Sequence, residues 1–153
     1  LIVMSLVKDA ERIGDYCKNI FEVGKMFRHE NSAPTYLDPL REIEAEVMRL
    51  FDQTREAFRE SNEHLAREIQ KGVGQAGKRC DHLIEKLLRQ DDSLSSDEAV
   101  SYGMMARHMK RIAAHLSNIA SSVIAPVENL DFMDERHRSS GESGADDSSG
   151  RAV

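Results

Sequence analysis

The sequence predicts an all-α protein of antiparallel helices, and three observations support this fold class. Apolar residues recur at intervals of three and four along most of the chain, which places them on one face of a helix. Residues 8–20 return as residues 107–119, so that Arg12 aligns with Arg111 and Asn19 with Asn118. Aromatic residues make up 5% of the chain and tryptophan is absent. This composition favours packed helices over a sheet.

The first helix is predicted to run from the start of the chain to about Arg28. Its core stripe is expected to consist of Val3, Leu6, Ala10, Ile13, Cys17, Ile20, Gly24 and Phe27. Glu11 and Asp15 lie one turn apart on the opposite side, near three basic residues, Lys8, Arg12 and Lys18. Two carboxylates at this spacing repel by roughly 0.2–0.5 kcal/mol unless a cation compensates. The pair is therefore the first indication of a site.

The second helix is predicted to start at Asp38 and Pro39, because proline is favoured at the first helical position. Turn-forming residues precede this start and form the link between two repeats. The helix is expected to break near Ser61 and Asn62. Its core stripe is Leu40, Ile43, Val47, Leu50, Thr54 and Ala57.

The third helix is predicted from Glu63 to about Arg89, and it contains three interior glycines. Gly72, Gly74 and Gly77 each cost about 1 kcal/mol relative to alanine. The interpretation favoured here is that small residues let a neighbouring helix come close. A phosphate-binding P-loop is rejected, because no strand precedes the glycines and the GxxxxGK[ST] pattern is absent. The core stripe is Leu65, Ile69, Val73, Ala76, Cys80, Leu83 and Leu87.

The fourth helix is predicted to begin with a capping box of Ser95 and Glu98 and to stop at Pro126. Its core stripe is Met105, Met109, Ile112, Leu116, Ile119 and Val123. Residues 127–135 are expected to form an irregular packed segment anchored by Leu130 and Phe132. Residues 136–153 are rich in serine, glycine and aspartate, so a disordered tail is predicted there.

Several classes of function are disfavoured by what the chain contains. The net charge of −6 argues against a protein that grips nucleic-acid phosphates. No ExxH or HExxH motif and no nucleophile–base pattern occurs, so His108 and His115 are interpreted as surface or packing histidines and no catalysis is expected. Cys17 and Cys80 are interpreted as reduced core thiols. The opening apolar run is too short to span a membrane, which takes ~20 residues.

Metal binding at Glu11 and Asp15 is the sharpest chemical hypothesis. Such a pair suits iron, manganese, zinc or magnesium, but two ligands do not complete a site. Pairs with the same spacing recur elsewhere and are interpreted as solvated faces; they are Glu42 with Glu46, Glu56 with Glu60, and Asp81 with Glu85.

Three features of the sequence occur together: ERIGD at residues 11–15 followed by NI, its echo RIAAH at 111–115 followed by NI, and a helical hairpin between them. With these features, residues 1–135 resemble the PhoU domain family, bacterial regulators of phosphate uptake. It implies three-helix repeats in which an acidic residue and an aspartate four positions later hold metal, so Glu11 and Asp15 are the implied ligands of a divalent or iron-type ion. Lys110 and Ala114 replace the two acids in the second copy, so no second metal site is expected there.

The resemblance also implies a domain organisation. Residues 1–30 are the last helix of a first repeat, and residues 36–126 are a complete second repeat. Two partner helices are expected upstream, because the family's pattern makes the first helix here the last of three and because Leu1 is not an initiator methionine.

The function implied by the resemblance is regulatory and non-catalytic. The helical surface docks, with the help of metal, on a phosphate transporter or a sensor histidine kinase, in the cytoplasm at the inner membrane face. One alternative is a cytoplasmic C-terminal domain of a sodium–phosphate cotransporter. A second is a helical oligomerisation module, a homodimer formed through the exposed stripes of residues 1–27. The sequence leaves the metal and the partner open.

Overall fold

The computed structural model describes residues 2–27, 34–89 and 94–139, with side chains from 3 to 124 within those ranges. These residues form four helices and no strand, which confirms the all-α prediction. The helices are α1 (Ile2–Met26), α2 (Pro34–Glu60), α3 (Glu63–Leu88) and α4 (Ser96–Ser139). No helix in the described part of the chain is long and apolar enough to cross a membrane.

Three of the helices form a bundle, and α1 lies outside it. Helices α2, α3 and α4 each contact the other two, whereas α1 packs within the described residues against α4 alone. The predicted core stripes of α2, α3 and α4 are confirmed, since every residue predicted to face the core is buried or partly buried. The bundle core also includes Tyr36 and Tyr102, whose rings lie 6.2 Å apart.

Local signals place the break between α2 and α3 and the start of α4 where the sequence predicts them. Ser61 adopts a positive φ of 49° between α2 and α3. The side chain of Asn62 then accepts a hydrogen bond of 3.0 Å from the Leu65 amide and caps α3. At the start of α4, Glu98 Oε2 accepts a 3.1 Å bond from the Ser95 amide and a 2.7 Å bond from the Ser95 hydroxyl. This confirms the pairing of Ser95 with Glu98.

The predicted start of α2 at Asp38 and Pro39 is wrong, because the helix begins at Pro34 and contains Pro39. A proline inside a helix leaves the carbonyl four residues earlier without its amide donor. Here that carbonyl belongs to Thr35, and Lys86 Nζ of α3 lies 3.4 Å from it as a donor. A neighbouring helix thus supplies the bond that Pro39 cannot make.

The predicted end of α4 is also wrong. The helix continues through Pro126 to Ser139, so residues 127–135 are helical rather than irregular, and the tail predicted to be disordered from residue 136 begins with helix. Pro126 removes one backbone bond of a 44-residue helix, and the helix-compatible residues after it sustain the rest. The side chains of Leu130 and Phe132, residues 140–153 and most of the link before Pro34 lie outside the described residues.

Half of the stripe predicted for α1 does not face the core. Leu6, Ile13, Ile20 and Phe27 are buried or partly buried, but Val3, Ala10, Cys17 and Gly24 are exposed. The positions that complete the buried face are Asp9, Tyr16 and Val23. The prediction that Cys17 is a core residue is therefore wrong, whereas Cys80 is fully buried as predicted.

Candidate functional site

The candidate site is α1, where the acidic pair lies on the solvent side of the helix. Glu11 and Asp15 are both exposed. Arg12 reaches Asp15 across 3.8 Å, and each of these two side chains is 66% exposed. An ion pair this exposed contributes little, typically about 0–1 kcal/mol. Both carboxylates are thus accessible to a ligand from outside.

The two carboxylates do not form a complete metal site by themselves. In the ranges that the structure describes, no group of three or more histidine, cysteine, aspartate and glutamate side chains is arranged to hold a metal ion. Hard and borderline cations take four or more ligands in proteins. A metal at Glu11 and Asp15 would need further ligands from outside these residues, and ligation here stays a prediction.

The second copy of the motif serves a different purpose. Lys110, at the position equivalent to Glu11, donates to both carboxylate oxygens of Asp81 on α3, at 2.6 and 2.7 Å. The pair links α3 to α4. A cation at this position is incompatible with the role of metal ligand.

The inner side of α1 carries a polar cluster that the sequence reasoning missed. Asp9 Oδ1 lies 2.7 Å from His115 Nδ1 and accepts a 3.0 Å hydrogen bond from the side-chain Nδ2 of Asn118. The side chains of Asp9 and His115 are only 14% and 20% exposed. Asp9 is therefore a structural residue that joins α1 to α4.

Tyr16 completes this cluster by packing between two histidines of α4. Its ring lies 5.7 Å from that of His108 and 5.8 Å from that of His115. Arg111 Nε donates to the Tyr16 hydroxyl at 3.3 Å. The interpretation of His108 and His115 as surface or packing histidines agrees with this geometry.

The cluster also reflects the internal repeat. In the alignment of residues 8–20 with 107–119, Asp9 is equivalent to His108 and Tyr16 to His115. The contact of Asp9 with His115 is therefore the equivalent of the contact of Tyr16 with His108. The two related helices pack antiparallel about a local pseudo-twofold axis. The repeat, applied to an antiparallel pair, was the signal from which these contacts could have been found.

One further side of α1 is apolar and exposed. Its residues recur at intervals of four and three, and Val3, Val7 and Phe21 are 71%, 53% and 67% exposed. A Cβ atom added to Gly14 or Gly24 would meet nothing within 4 Å. We call this surface the free stripe of α1; it consists of Val3, Val7, Ala10, Gly14, Cys17, Phe21 and Gly24. Its spacing is that of a helix that packs against another helix.

Comparison with known proteins gives one family and two relatives. The sequence model of the PhoU domain matches residues 40–123, which fall within α2–α4. A phosphate-specific transport system accessory protein PhoU homolog from Synechocystis sp. is 25% identical over 122 residues, covering 79% of this chain and 54% of the relative. A phosphate-specific transport system accessory protein PhoU homolog 1 from Thermotoga maritima is 26% identical over 151 residues, covering 95% of this chain and 64% of the relative. The chain thus matches less than two-thirds of either relative. No solved structure matches it.

Proposed function

The chain belongs to the PhoU domain family, and we propose that it regulates phosphate uptake and phosphate-starvation signalling by docking on a membrane protein system. The observation that carries the proposal is that the family match coincides with the α2–α4 bundle. The names of both relatives, accessory proteins of a phosphate-specific transport system, support the same role.

The docking partner in this proposal is a phosphate transporter or a sensor histidine kinase. The protein acts by binding and not by catalysis. The accessible acids of α1, Glu11 and Asp15, supply two ligands of a divalent or iron-type ion. With its remaining ligands from outside the described residues, that ion would hold the docking surface in its binding conformation.

The proposal is tested by measuring the affinity of the full-length protein for the transporter's ATPase subunit and for the kinase's cytoplasmic part. We expect Glu11→Ala combined with Asp15→Ala to weaken binding about tenfold or more in the presence of manganese or iron, because two charged ligands are lost. Glu56→Ala combined with Glu60→Ala is the matched control. It removes an exposed acidic pair of the same spacing from α2 and should leave the affinity within twofold.

Two results separate the parts of the proposal. Failure of the unmodified protein to bind either partner contradicts docking itself. Unchanged binding by the α1 double variant, with or without a chelator, removes the metal step and leaves docking in place.

A second candidate function, a helical oligomerisation module, is favoured by the free stripe of α1. Its intervals of four and three match the a and d positions of a two-stranded coiled coil, and its small residues permit close approach. The occupant would be the α1 of a second copy. Sedimentation equilibrium of the full chain should then show a dimer that Val7→Glu with Phe21→Glu dissociates, independently of metal and phosphate. A monomer at about 100 µM, well above a micromolar Kd, excludes this candidate.

A further inference from the structure

A cleft between α2 and α3, on the side of the bundle away from α1, is rich in cations. It has a volume of about 390 Å³, within the range of small-molecule sites. Helix α3 contributes Lys78, Arg79, His82 and Lys86 to its lining, and Glu42 of α2 is the one carboxylate there. This concentration of basic groups contrasts with the net charge of −6 of the whole chain.

The cations differ in how far their charges are already neutralised. Arg79 lies 3.8 Å from Glu42 and 3.5 Å from the buried Glu46, so its charge is shared with two carboxylates. Lys78 has no ion-pair or hydrogen-bond partner among the described residues. Within the described residues, the one hydrogen bond of Lys86 is the long bond to the Thr35 carbonyl, and its ammonium lies over the Tyr36 ring at 5.1 Å. Among the described residues, Lys78 and Lys86 therefore have no carboxylate partner.

The spacing of these groups matches an extended anion. Lys78, His82 and Lys86 are four residues apart and so share one face of α3, where each step advances about 6 Å along the helix. The two lysines thus leave the backbone about 12 Å apart, so an anion that extends along α3 can contact both without requiring their side chains to converge. Ile43 and Leu83, which are nearly completely buried, form the apolar floor between the helices. An apolar floor strengthens charge interactions above it.

We propose that this cleft binds a chain of linked phosphate groups, as found in a nucleoside triphosphate or in short inorganic polyphosphate. Lys78 and Lys86 would contact separate phosphates, and His82 would donate a hydrogen bond between them. Ammonium groups bind phosphate as point charges. The proposal is independent of partner docking by α1 and stands if that function fails.

The test is isothermal titration calorimetry of the full chain with tripolyphosphate, ATP and inorganic phosphate at about 50 mM salt, where screening is modest. We expect tripolyphosphate and ATP to bind and inorganic phosphate to bind at least tenfold more weakly. Tighter binding of ATP than of tripolyphosphate assigns the ligand as a nucleotide whose nucleoside adds contacts at the cleft. Equal or weaker binding of ATP assigns it as polyphosphate.

Lys78→Glu is the diagnostic variant and Lys8→Glu its matched control. Both lysines are exposed and both substitutions change the net charge equally, but Lys8 lies on α1. We expect Lys78→Glu to weaken tripolyphosphate binding about tenfold or more and Lys8→Glu to change it less than twofold. Lys86→Gln should also weaken it, with the thermal unfolding of each variant measured to show that the fold is intact.

Three outcomes overturn the proposal. They are no binding of tripolyphosphate or ATP by the unmodified chain, equal losses in Lys78→Glu and Lys8→Glu, and binding of a poly-glutamate peptide as tight as that of tripolyphosphate. The second shows a general charge effect, and the third shows a site for acidic peptides.

Discussion

His108 of α4 packs against Tyr16 of α1. Its Nε2 is buried without a hydrogen-bond partner among the described residues. Burial lowers the pKa of this imidazole below its ordinary 6.5. Below that pH the unfolded chain binds a proton that the folded chain does not, so the contribution of His108 to stability is lost as the pH falls through the window under 6.5. We expect the free energy of unfolding to fall less steeply with decreasing pH in His108→Gln than in the wild type.

Urea unfolding of the wild type and the variant between about pH 7.5 and 5.5 measures this effect, since most carboxylates stay ionised there. His64→Gln serves as the control, because His64 is an exposed histidine of α3. A pH dependence that is the same in wild type and His108→Gln contradicts the account.

The two cysteines differ in reactivity. Cys80 is fully buried, and burial, with a smaller effect of the Asp81 charge, raises the pKa of its thiol to about 11. Cys17 is exposed on the free stripe, although partial burial raises the pKa of its thiol as well. Because only an accessible thiolate reacts, we expect DTNB to titrate one thiol in the native protein and two in urea. Cys17→Ser should abolish the reaction of the folded protein with DTNB. Reaction of both thiols without urea would contradict this expectation, because it would show that Cys80 of α3 becomes accessible in the folded protein.

Single residues also show which features can be predicted from the sequence and which cannot. The burial of Cys80 and the break near Ser61 and Asn62 were predicted because their signals are local. Asp9 was not, since its charge is satisfied by His115 and Asn118, more than a hundred positions away. A buried carboxylate looks like a surface one until its partners are known.

At the scale of elements, the glycines of α3 behave unequally. A Cβ atom on Gly72 would approach Leu50 Cδ2 of α2 to 3.0 Å, whereas one on Gly74 would meet nothing within 4 Å. The prediction that small residues let a neighbouring helix approach is confirmed at Gly72, while Gly77 makes only ordinary contact with Lys110.

We therefore expect Gly74→Ala to raise the free energy of unfolding by about 0.5–1 kcal/mol, since alanine costs less backbone entropy in a helix. Gly72→Ala should raise the free energy of unfolding by less, because Leu50 must move to make room for the added methyl group. Denaturant unfolding measures both. Equal gains in the two variants would contradict close packing of α2 and α3 at this point.

Helix α1 shows why a hydrophobic period can mislead. Apolar residues cover more than half of its circumference, so two stripes satisfy the same three-and-four spacing. Tertiary contact with α4 selects the side that includes Tyr16 and Val23 and leaves Val3 and Phe21 exposed. Periodicity identifies the helix, but only the neighbour decides which side is buried.

At the scale of the whole molecule, the repeat relates α1 to α4, and the structure shows that these two helices pack against each other. The division of the chain into one complete repeat and the last helix of another stays a prediction. The proline at position 126 misled the prediction, because a long helix tolerates the loss of one backbone bond. Glu11 and Asp15 were predicted as surface acids and are exposed, but two side chains of one helix cannot reveal ligands that come from elsewhere.

The proposed function, in which this protein restrains phosphate uptake, is tested most directly by the initial rate of radiolabelled phosphate uptake. The measurement compares phosphate-replete cells of the source organism with cells that lack the gene and with cells in which it is restored. We predict faster uptake without the protein and a return to the original rate on restoration. Uptake that is unchanged by its loss, in replete and in starved cells alike, would contradict the account.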